Sequence, residues 1–421
     1  MSAGRPKVLF LSQTLPYPPD GGVKIRTYHV LRQLARAFEV TALCFYRWKP
    51  GAHEPDVAEA VRALGAFGRV EAFPIPQEHS GARLLWDHLR SAARARVYTA
   101  YVYDSAEFRG RLRALLASER FDLVHADSLD LSAYFPLIGG LPLVCVHHDV
   151  QSVLLRRRAQ RERSRARRAY LAFQANLMER EERRWCGRVA LNVAVSEVDR
   201  AALLRLAPEA RVTVVPNGVD LDAFRPGLEE NTAGIVFVGG ASWFPNADAM
   251  RYFCEEVLPH IRGAGLDDPV TWVGRIGREE RALFERRYGI RTTGYVDDIR
   301  PFVREAACYV VPIRAGGGTR IKILDAWAMG KAVVSTAVGC EGLEAVDGEN
   351  ILIRDDPREF AAAVGRVLED PGLRRTLGLA GRRTVERRYG WDAIGEAMNR
   401  AYQALAQPRN VPGSPVAAAT G

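Results

Sequence analysis

The sequence predicts an α/β protein built from two doubly wound, Rossmann-like parallel-sheet domains that face each other across a cleft. A chain of 421 residues exceeds what one hydrophobic core ordinarily supports, so two domains are expected. Short β-branched apolar runs alternate with segments of helical period, the pattern of parallel strands covered by helices on both faces. That pattern runs twice, interrupted between Asn217 and Gly234, where Pro, Gly, Asn and polar residues collect.

In the first half the strand candidates are VLFLS, VTALCFY, VEAFPI, FDLVHA, LVCVHH, ALNVAVS and VTVVPN. The second half offers IVFVGG, VTWVG, IRTTGY, CYVVPI, AVVSTAV and ILIR. We place the boundary close to Ala223, giving domains 1–222 and 223–389. Asp356-Pro357 and Asp370-Pro371 each suit the N-terminus of a helix. A last helix starts at Trp391, within a segment 390–407, and the Pro-, Gly- and Ala-rich residues 408–421 lack a core-forming pattern and read as a disordered tail.

Hydrophobic residues make up 48% and charged residues 26%, which argues against general disorder. The six cysteines are scattered and most lie in apolar runs, so they read as reduced core residues of a cytoplasmic protein. The start, MSAGRPKVLFLSQ, reads as a first strand rather than a signal peptide, and no run approaches the ~20 apolar residues of a membrane span. The net charge of +9 is concentrated. Arg156, Arg157, Arg158, Arg161, Arg163, Arg165, Arg167 and Arg168 stand against the single Glu162, a surplus of +7. This segment reads either as the solvated face of a long helix or as a contact for an anionic membrane surface. Nucleic acid is not expected, because no aromatic residues interleave with the arginines.

The segment VVPIRAGGGTRIKILDAWAMGKAVVST carries the strongest chemical signal. A buried strand ends at Ile313, Gly316, Gly317 and Gly318 follow, and a helix is expected from about Thr319 to Met329. Glycines let an anion approach main-chain N–H groups, and a helix start adds unpaired donors and partial positive charge. Arg320 and Lys322 bring full charges to the same place, so a phosphate site is expected. Asp325, about two turns along, can accept hydrogen bonds from a vicinal diol such as a ribose. A second glycine turn, PYPPDGGVKIRTYHVLRQL, follows the first strand, and Gly21-Gly22 opens a helix there. It lacks GxGxxG and therefore the dinucleotide fingerprint. The fifth run ends in His147, His148 and Asp149 beyond a strand's carboxyl end, where ligands bind in open parallel sheets. Strand alternation sends the two histidines to opposite faces, so one of them reaches the crevice. No metal-ligand spacing is present.

From Lys7 to Tyr402 these motifs resemble glycosyltransferase family 4, the retaining group 1 enzymes of GT-B fold. The resemblance rests on PYPPDGG, HHD, VAVSEVDRAAL, VVPNGVD, VGR, GYVDD and above all GGGTRIKILDAWAMGKAVVST. It implies an N-terminal acceptor domain, a C-terminal domain for a nucleotide-diphosphate sugar of UDP or GDP type, and a closing helix, YGWDAIGEAMNRAY, that returns to the first domain. Gly21 and Gly22 would lie beside the donor, His148 would contact the transferring sugar, and Gly316, Gly317, Gly318 and Thr319 would offer main-chain donors. Arg320 and Lys322 would neutralise the diphosphate, Asp325 would hold the ribose, and the backbone of Tyr295 and Val296 would hold the base. The acceptor implied is a glycan or lipid-linked hydroxyl in surface polysaccharide synthesis at the cytoplasmic membrane face; no metal or cofactor is implied.

The sequence departs from the family twice. Where two glutamates usually stand eight positions apart, it has Gly317 and Asp325. The usual Arg and Lys after the first strand of the second domain are replaced by Ser242 and Asn246 in GGASWFPNADAM, leaving Arg320 and Lys322 to substitute. Two other readings remain open at this point: a nucleotide-sugar epimerase of the same fold, and a non-catalytic donor-binding or scaffold subunit.

Overall fold

A computed structural model describes residues 5–47, 56–76, 81–227, 232–316 and 320–406. The tail expected over 408–421, and Gly317, Gly318 and Thr319, lie outside the described residues.

Each apolar run of the first half becomes a strand of one seven-stranded parallel sheet. The strands are β1 (Lys7–Ser12), β2 (Glu39–Tyr46), β3 (Arg69–Pro74), β4 (Leu123–Ala126), β5 (Leu143–His147), β6 (Leu191–Ala194) and β7 (Val212–Val214), in the order β3-β2-β1-β4-β5-β6-β7. The second half forms a six-stranded parallel sheet from β8 (Ile235–Val238), β9 (Val270–Val273), β10 (Arg291–Thr292), β11 (Cys308–Val311), β12 (Val333–Ser335) and β13 (Leu352–Ile353), ordered β10-β9-β8-β11-β12-β13. The strands read as continuous apolar runs because both faces are covered. Along β1, Leu9 and Leu11 join one core cluster, while Val8 and Phe10 join the other.

Both sheets reverse direction next to their first strand, between β1 and β4 and between β8 and β11. Helices leave the two strands of each such pair on opposite sides, and a crevice opens beyond their carboxyl ends. The two carboxyl edges face each other. Arg275 beyond β9 reaches Asp20 beyond β1 at 2.9 Å, and a Cβ on Gly22 would lie 3.8 Å from Ile321 Cδ1.

The last helix, Trp391–Ala406, crosses back to the first sheet. Trp391, Ile394, Met398 and Tyr402 are buried in the same cluster as Val8 and Phe10. Trp391 stacks on His29 at 4.8 Å, and the Tyr402 hydroxyl lies 3.0 Å from His125 Nδ1. Asp356 and Asp370 cap the helices Pro357–Glu369 and Pro371–Arg388, each with proline in the first turn. All six cysteines are buried thiols.

The arginine segment is not one long helix. It is split into Gln151–Arg161 and Arg165–Cys186 because Ser164 turns outward and its Oγ accepts from Arg167 N, starting a new helix. Nor are all its arginines solvated. Arg156 pairs with Glu179, Arg157 with Glu341, and Arg158 lies 5.5 Å over the Phe244 ring.

The Tyr402–His125 bond joins the returning helix to the floor of the cleft. Tyr402→Phe removes the phenolic partner of a fully buried imidazole, so unfolding stability should fall by about 1–3 kcal/mol. A urea midpoint unchanged from the parent would show that His125 gains nothing from the bond.

Candidate active site

The second-domain wall is made by three glycine-containing turns and one helix. β11 runs into Pro312, Ile313, Arg314, Ala315 and Gly316, and the helix Ile321–Ala328 follows Arg320. This helix is shorter than the expected Thr319–Met329. Gly330, at φ +69°, stops it in the left-handed conformation that closes many helices. A Cβ at Gly316 would lie 2.5 Å from the Arg320 guanidinium, so the glycine lets the arginine fold back along the loop. Burial depresses Arg320, while Glu341, Asp149 and Asp199 act in the opposite direction.

Lys322 points elsewhere, as residues two apart on a helix do. Its Nζ donates to Asn246 Oδ1 at 2.7 Å and sits 4.1 Å from the centre of the Phe237 ring. Asn246 thus brings the Lys322 ammonium to the turn beyond β8; Ser242 is exposed. A Cβ on Gly239, beyond β8, would lie 2.8 Å from that Nζ, so IVFVGG keeps the space open for the ammonium. Burial, with Arg320 nearby, holds Lys322 well below the ordinary lysine value. One turn on, Asp325 is buried and pushed up to about 7 by that burial, which Lys322 only partly offsets.

Tyr295 and Val296 follow Gly294, whose carbonyl accepts from Gly274 N beyond β9. Tyr295 is exposed with the Arg275 guanidinium 4.4 Å over its ring, and Val296 packs on the second-domain core.

Across the gap, Gly21 is the N-cap of the helix Gly22–Ala37 and Gly22 its first residue, next to Ile321. His147 and His148 leave β5 in opposite directions. His147 is buried and its Nε2–H donates to Asn192 Oδ1 at 3.0 Å. His148 is half-buried and its Nε2–H donates to the Asp127 carbonyl at 2.7 Å. Asp149, between His148 and the second domain, is pushed up to about 6 by burial, which His148 and Arg320 oppose. Arg157 spans the gap, donating to the Gly316 carbonyl at 2.7 Å and forking onto Glu341.

Sequence reasoning missed the polar floor between β1 and β4. Asp127, one residue beyond β4, is fully buried and accepts from Thr27 Oγ1 at 2.5 Å, with His125 Nε2 at 3.5 Å and His148 Nε2 at 3.6 Å. Burial alone would raise Asp127, but the two histidines outweigh it and hold the carboxyl below its usual range. Arg26, fully buried and lowered to about 10 by burial, donates to the carbonyls of Val215 and Pro216 and to Asn217 Oδ1. The rule that singled out HHD, polar residues just beyond a strand end, applies equally to FDLVHAD. Arg26 left no signal, since an arginine in an amphipathic helix reads as solvated.

A groove of about 1030 Å³ borders Phe121, Trp185 and Leu405, at the amino-terminal edge of the first sheet. Ligand chemistry in open parallel sheets belongs to the other edge, where all the groups above converge. Among the described residues no three His, Cys, Asp or Glu side chains are grouped to hold a metal ion, and no helix is long and apolar enough to cross a membrane.

Comparison with known proteins places the chain in a family and a fold. Residues 20–223 match the family described as Glycosyltransferase Family 4, and residues 232–370 match that described as Glycosyl transferases group 1. The chain belongs to the family 4-like, group 1 glycosyltransferases. A D-inositol 3-phosphate glycosyltransferase of Xylanimonas cellulosilytica is 30% identical over 240 residues, which are 50% of this chain and 56% of that protein. The chain thus spans about half the length of the curated relatives it matches. Sucrose-phosphate synthase from Thermosynechococcus elongatus superposes with a TM-score of 0.70 at 19% identity, covering 95% of this chain and 99% of that one. Anabaena Alr3699/HepE in complex with UDP and glucose superposes at 0.65 with 16% identity, covering 94% and 99%. These neighbours establish the GT-B fold.

In this glycosyltransferase the raised Asp325 makes a pH signature. A carboxyl that holds its proton more tightly folded than unfolded contributes stability below about pH 4, and that contribution is lost as pH rises through about 7. Asp325→Asn should therefore match the parent near pH 4 and exceed it by on the order of 1–3 kcal/mol at pH 8. Denaturant titrations at both values check this; a constant offset between the two proteins would contradict it.

Proposed function

We propose that the chain is a retaining glycosyltransferase that moves a sugar from a nucleotide-diphosphate donor, of UDP or GDP type, to a hydroxyl acceptor. One observation carries this reading. Arg320 and Lys322 are both depressed by burial at the start of a helix beyond the switch-point strand β11. A diphosphate there adds negative charge beside both cations, and its binding restores the proton that burial discourages on Lys322. The complex of the Anabaena protein with UDP and glucose supports a donor of this type.

In this reading residues 1–222 bind the acceptor, residues 223–389 bind the donor, and 390–407 form the returning helix. Gly316 to Thr319 offer main-chain donors to the diphosphate, and Gly21 and Gly22 close over it from the other wall. Asp325 holds the ribose. The base lies against the backbone of Tyr295 and Val296, and His148 contacts the transferring sugar.

The acceptor oxygen attacks the anomeric carbon from the face the diphosphate leaves. The carbon–oxygen bond to the diphosphate breaks as the new glycosidic bond forms, and a leaving phosphate oxygen takes the acceptor proton. The scheme gives no part to a side-chain nucleophile or a metal ion. The protein contributes position and stabilisation of charge on the leaving group. A glycan or lipid-linked acceptor for surface polysaccharide synthesis, met on the cytoplasmic side, fits the arginine-rich flank of the first domain.

Lys322→Ala should lower kcat by about 10²–10³, or 2.7–4 kcal/mol, if the ammonium acts as a preorganised donor to the departing charge. Hydrolysis of UDP and GDP sugars without acceptor measures it. An unchanged kcat removes Lys322 from the mechanism. Sugar isomerisation in place of nucleotide release would make the protein an epimerase, and neither reaction, with no thermal shift on adding nucleotide, would make it a scaffold.

A further inference from the structure

The helix Gly81–Arg94 is amphipathic with its faces reversed. Its polar Asp87 and Ser91 are buried, held by Arg83 and by the hydrogen bond from Gln174 to Ser91 Oγ. Its apolar stripe points outward: Leu85, Trp86 and Leu89 are 62%, 60% and 55% exposed. Spaced i, i+1 and i+4, they form one continuous face. Tyr170 and Phe173 of the neighbouring helix, also exposed, extend it, with the Tyr170 hydroxyl on His88 Nδ1 at 2.5 Å. A monomer gains nothing from presenting so large an apolar set to water.

The same neighbouring helix begins at the arginine turn. Arg156, Arg157 and Arg158 are engaged with Glu179, Glu341 and Phe244, and beyond them Arg161, Arg163, Arg165, Arg167 and Arg168 are all exposed. The Glu162 carboxylate accepts from the Ser164 amide and its carbonyl from the Arg168 guanidinium, so a single carboxylate stands among these five cations. Apolar side chains beside a cluster of excess positive charge are the two signals that together hold a protein on an anionic bilayer.

We propose that this face, Leu85, Trp86, Leu89, Tyr170 and Phe173 with the turn at 161–168, docks on an anionic lipid bilayer. The apolar stripe enters the headgroup boundary and the arginines meet lipid phosphates. A second copy of the chain fits less well, since a two-fold contact through this face sets one arginine turn close to the other. The helix Gln151–Arg161 starts two residues after Asp149 and ends at the turn, ~15 Å away, so the docked face adjoins the cleft. The inference rests on the transferase reading for its consequence, that the acceptor is anchored in the lipid; the docking itself does not.

The test is sedimentation of the full chain with vesicles of phosphatidylcholine, alone or with roughly one third phosphatidylglycerol. Binding at least about tenfold tighter to the anionic vesicles, weakening with salt, is expected. Arg163→Glu/Arg167→Glu and Leu85→Ser/Leu89→Ser should each reduce it by about tenfold or more. Brominated lipid should quench fluorescence in the parent and less in Trp86→Phe, a readout that needs no disruptive substitution. Equal binding to both vesicles, no binding, or a dimer that Leu85→Ser/Leu89→Ser dissolves while vesicles stay unbound overturns the proposal. The same samples are tested for nucleotide-induced thermal shift and donor hydrolysis. Those retained without vesicle binding sink the docking alone; vesicle binding without them sinks the transferase reading alone.

Discussion

A cation taken out of water must find an anion or give up its proton, and the cleft is organised around two cations so placed. Arg320 is set against carboxylates from both domains, Asp149 and Asp199 on one side and Glu341 on the other. Lys322 has a neutral amide and an aromatic ring as its contacts, with the raised Asp325 one turn away. Neither the ammonium nor the carboxylate of that pair is favoured in its charged form. Under the proposed donor-binding role, an anion bearing hydroxyl groups relieves both, restoring the lysine's charge and satisfying the carboxyl.

The first domain solves the opposite problem. Asp127 is a buried carboxylate that stays ionised because His125, His148 and Thr27 surround it. Tyr402 from the far end of the chain fixes the other side of His125. The floor of the cleft is thereby tied to the helix that closes the fold, so a change at Tyr402 bears on a carboxylate beside the histidine nearest the ligand space. Arg26 does similar work for the connection between the sheets, where VVPN offers three oxygens to one guanidinium.

The strands were legible because parallel sheets buried on both faces leave uninterrupted apolar runs, and every run named becomes a strand, even β10, which keeps two residues. The glycine loop with Arg320, Lys322 and Asp325 was legible because glycine, cation and helix start sit together in sequence. What escaped were groups that meet only through topology. Asp127 and Arg26 lie on elements far apart in sequence, and their partners come from residues 27, 125, 148 and 215–217. The arginine segment misled in a different way: charge counting cannot tell Arg157, forked onto Glu341, from Arg163, exposed on the turn. The break at Ser164 was readable, since serine at a helix start is a preferred cap, but the run of arginines obscured it.

The attachments between the two domains differ in kind. On the cleft side they are ion pairs: Arg275 with Asp20, whose arginine is exposed, and Arg157 with Glu341, a half-buried fork that also donates to the Gly316 carbonyl. The exposed Arg275 pair contributes about 0–1 kcal/mol and weakens with salt. Away from the cleft the attachment is the apolar side of Trp391–Ala406, where Trp391, Ile394, Met398 and Tyr402 are buried beneath the first sheet. Burial of side chains this size is worth about 1.5–3 kcal/mol each and is indifferent to salt. The domains are therefore held by apolar burial at one edge and by polar contacts at the other. The polar edge is the one lined by Gly22, His148, Arg320 and Gly316, so a change of charge in the cleft acts on the contacts between its walls and leaves the returning helix in place.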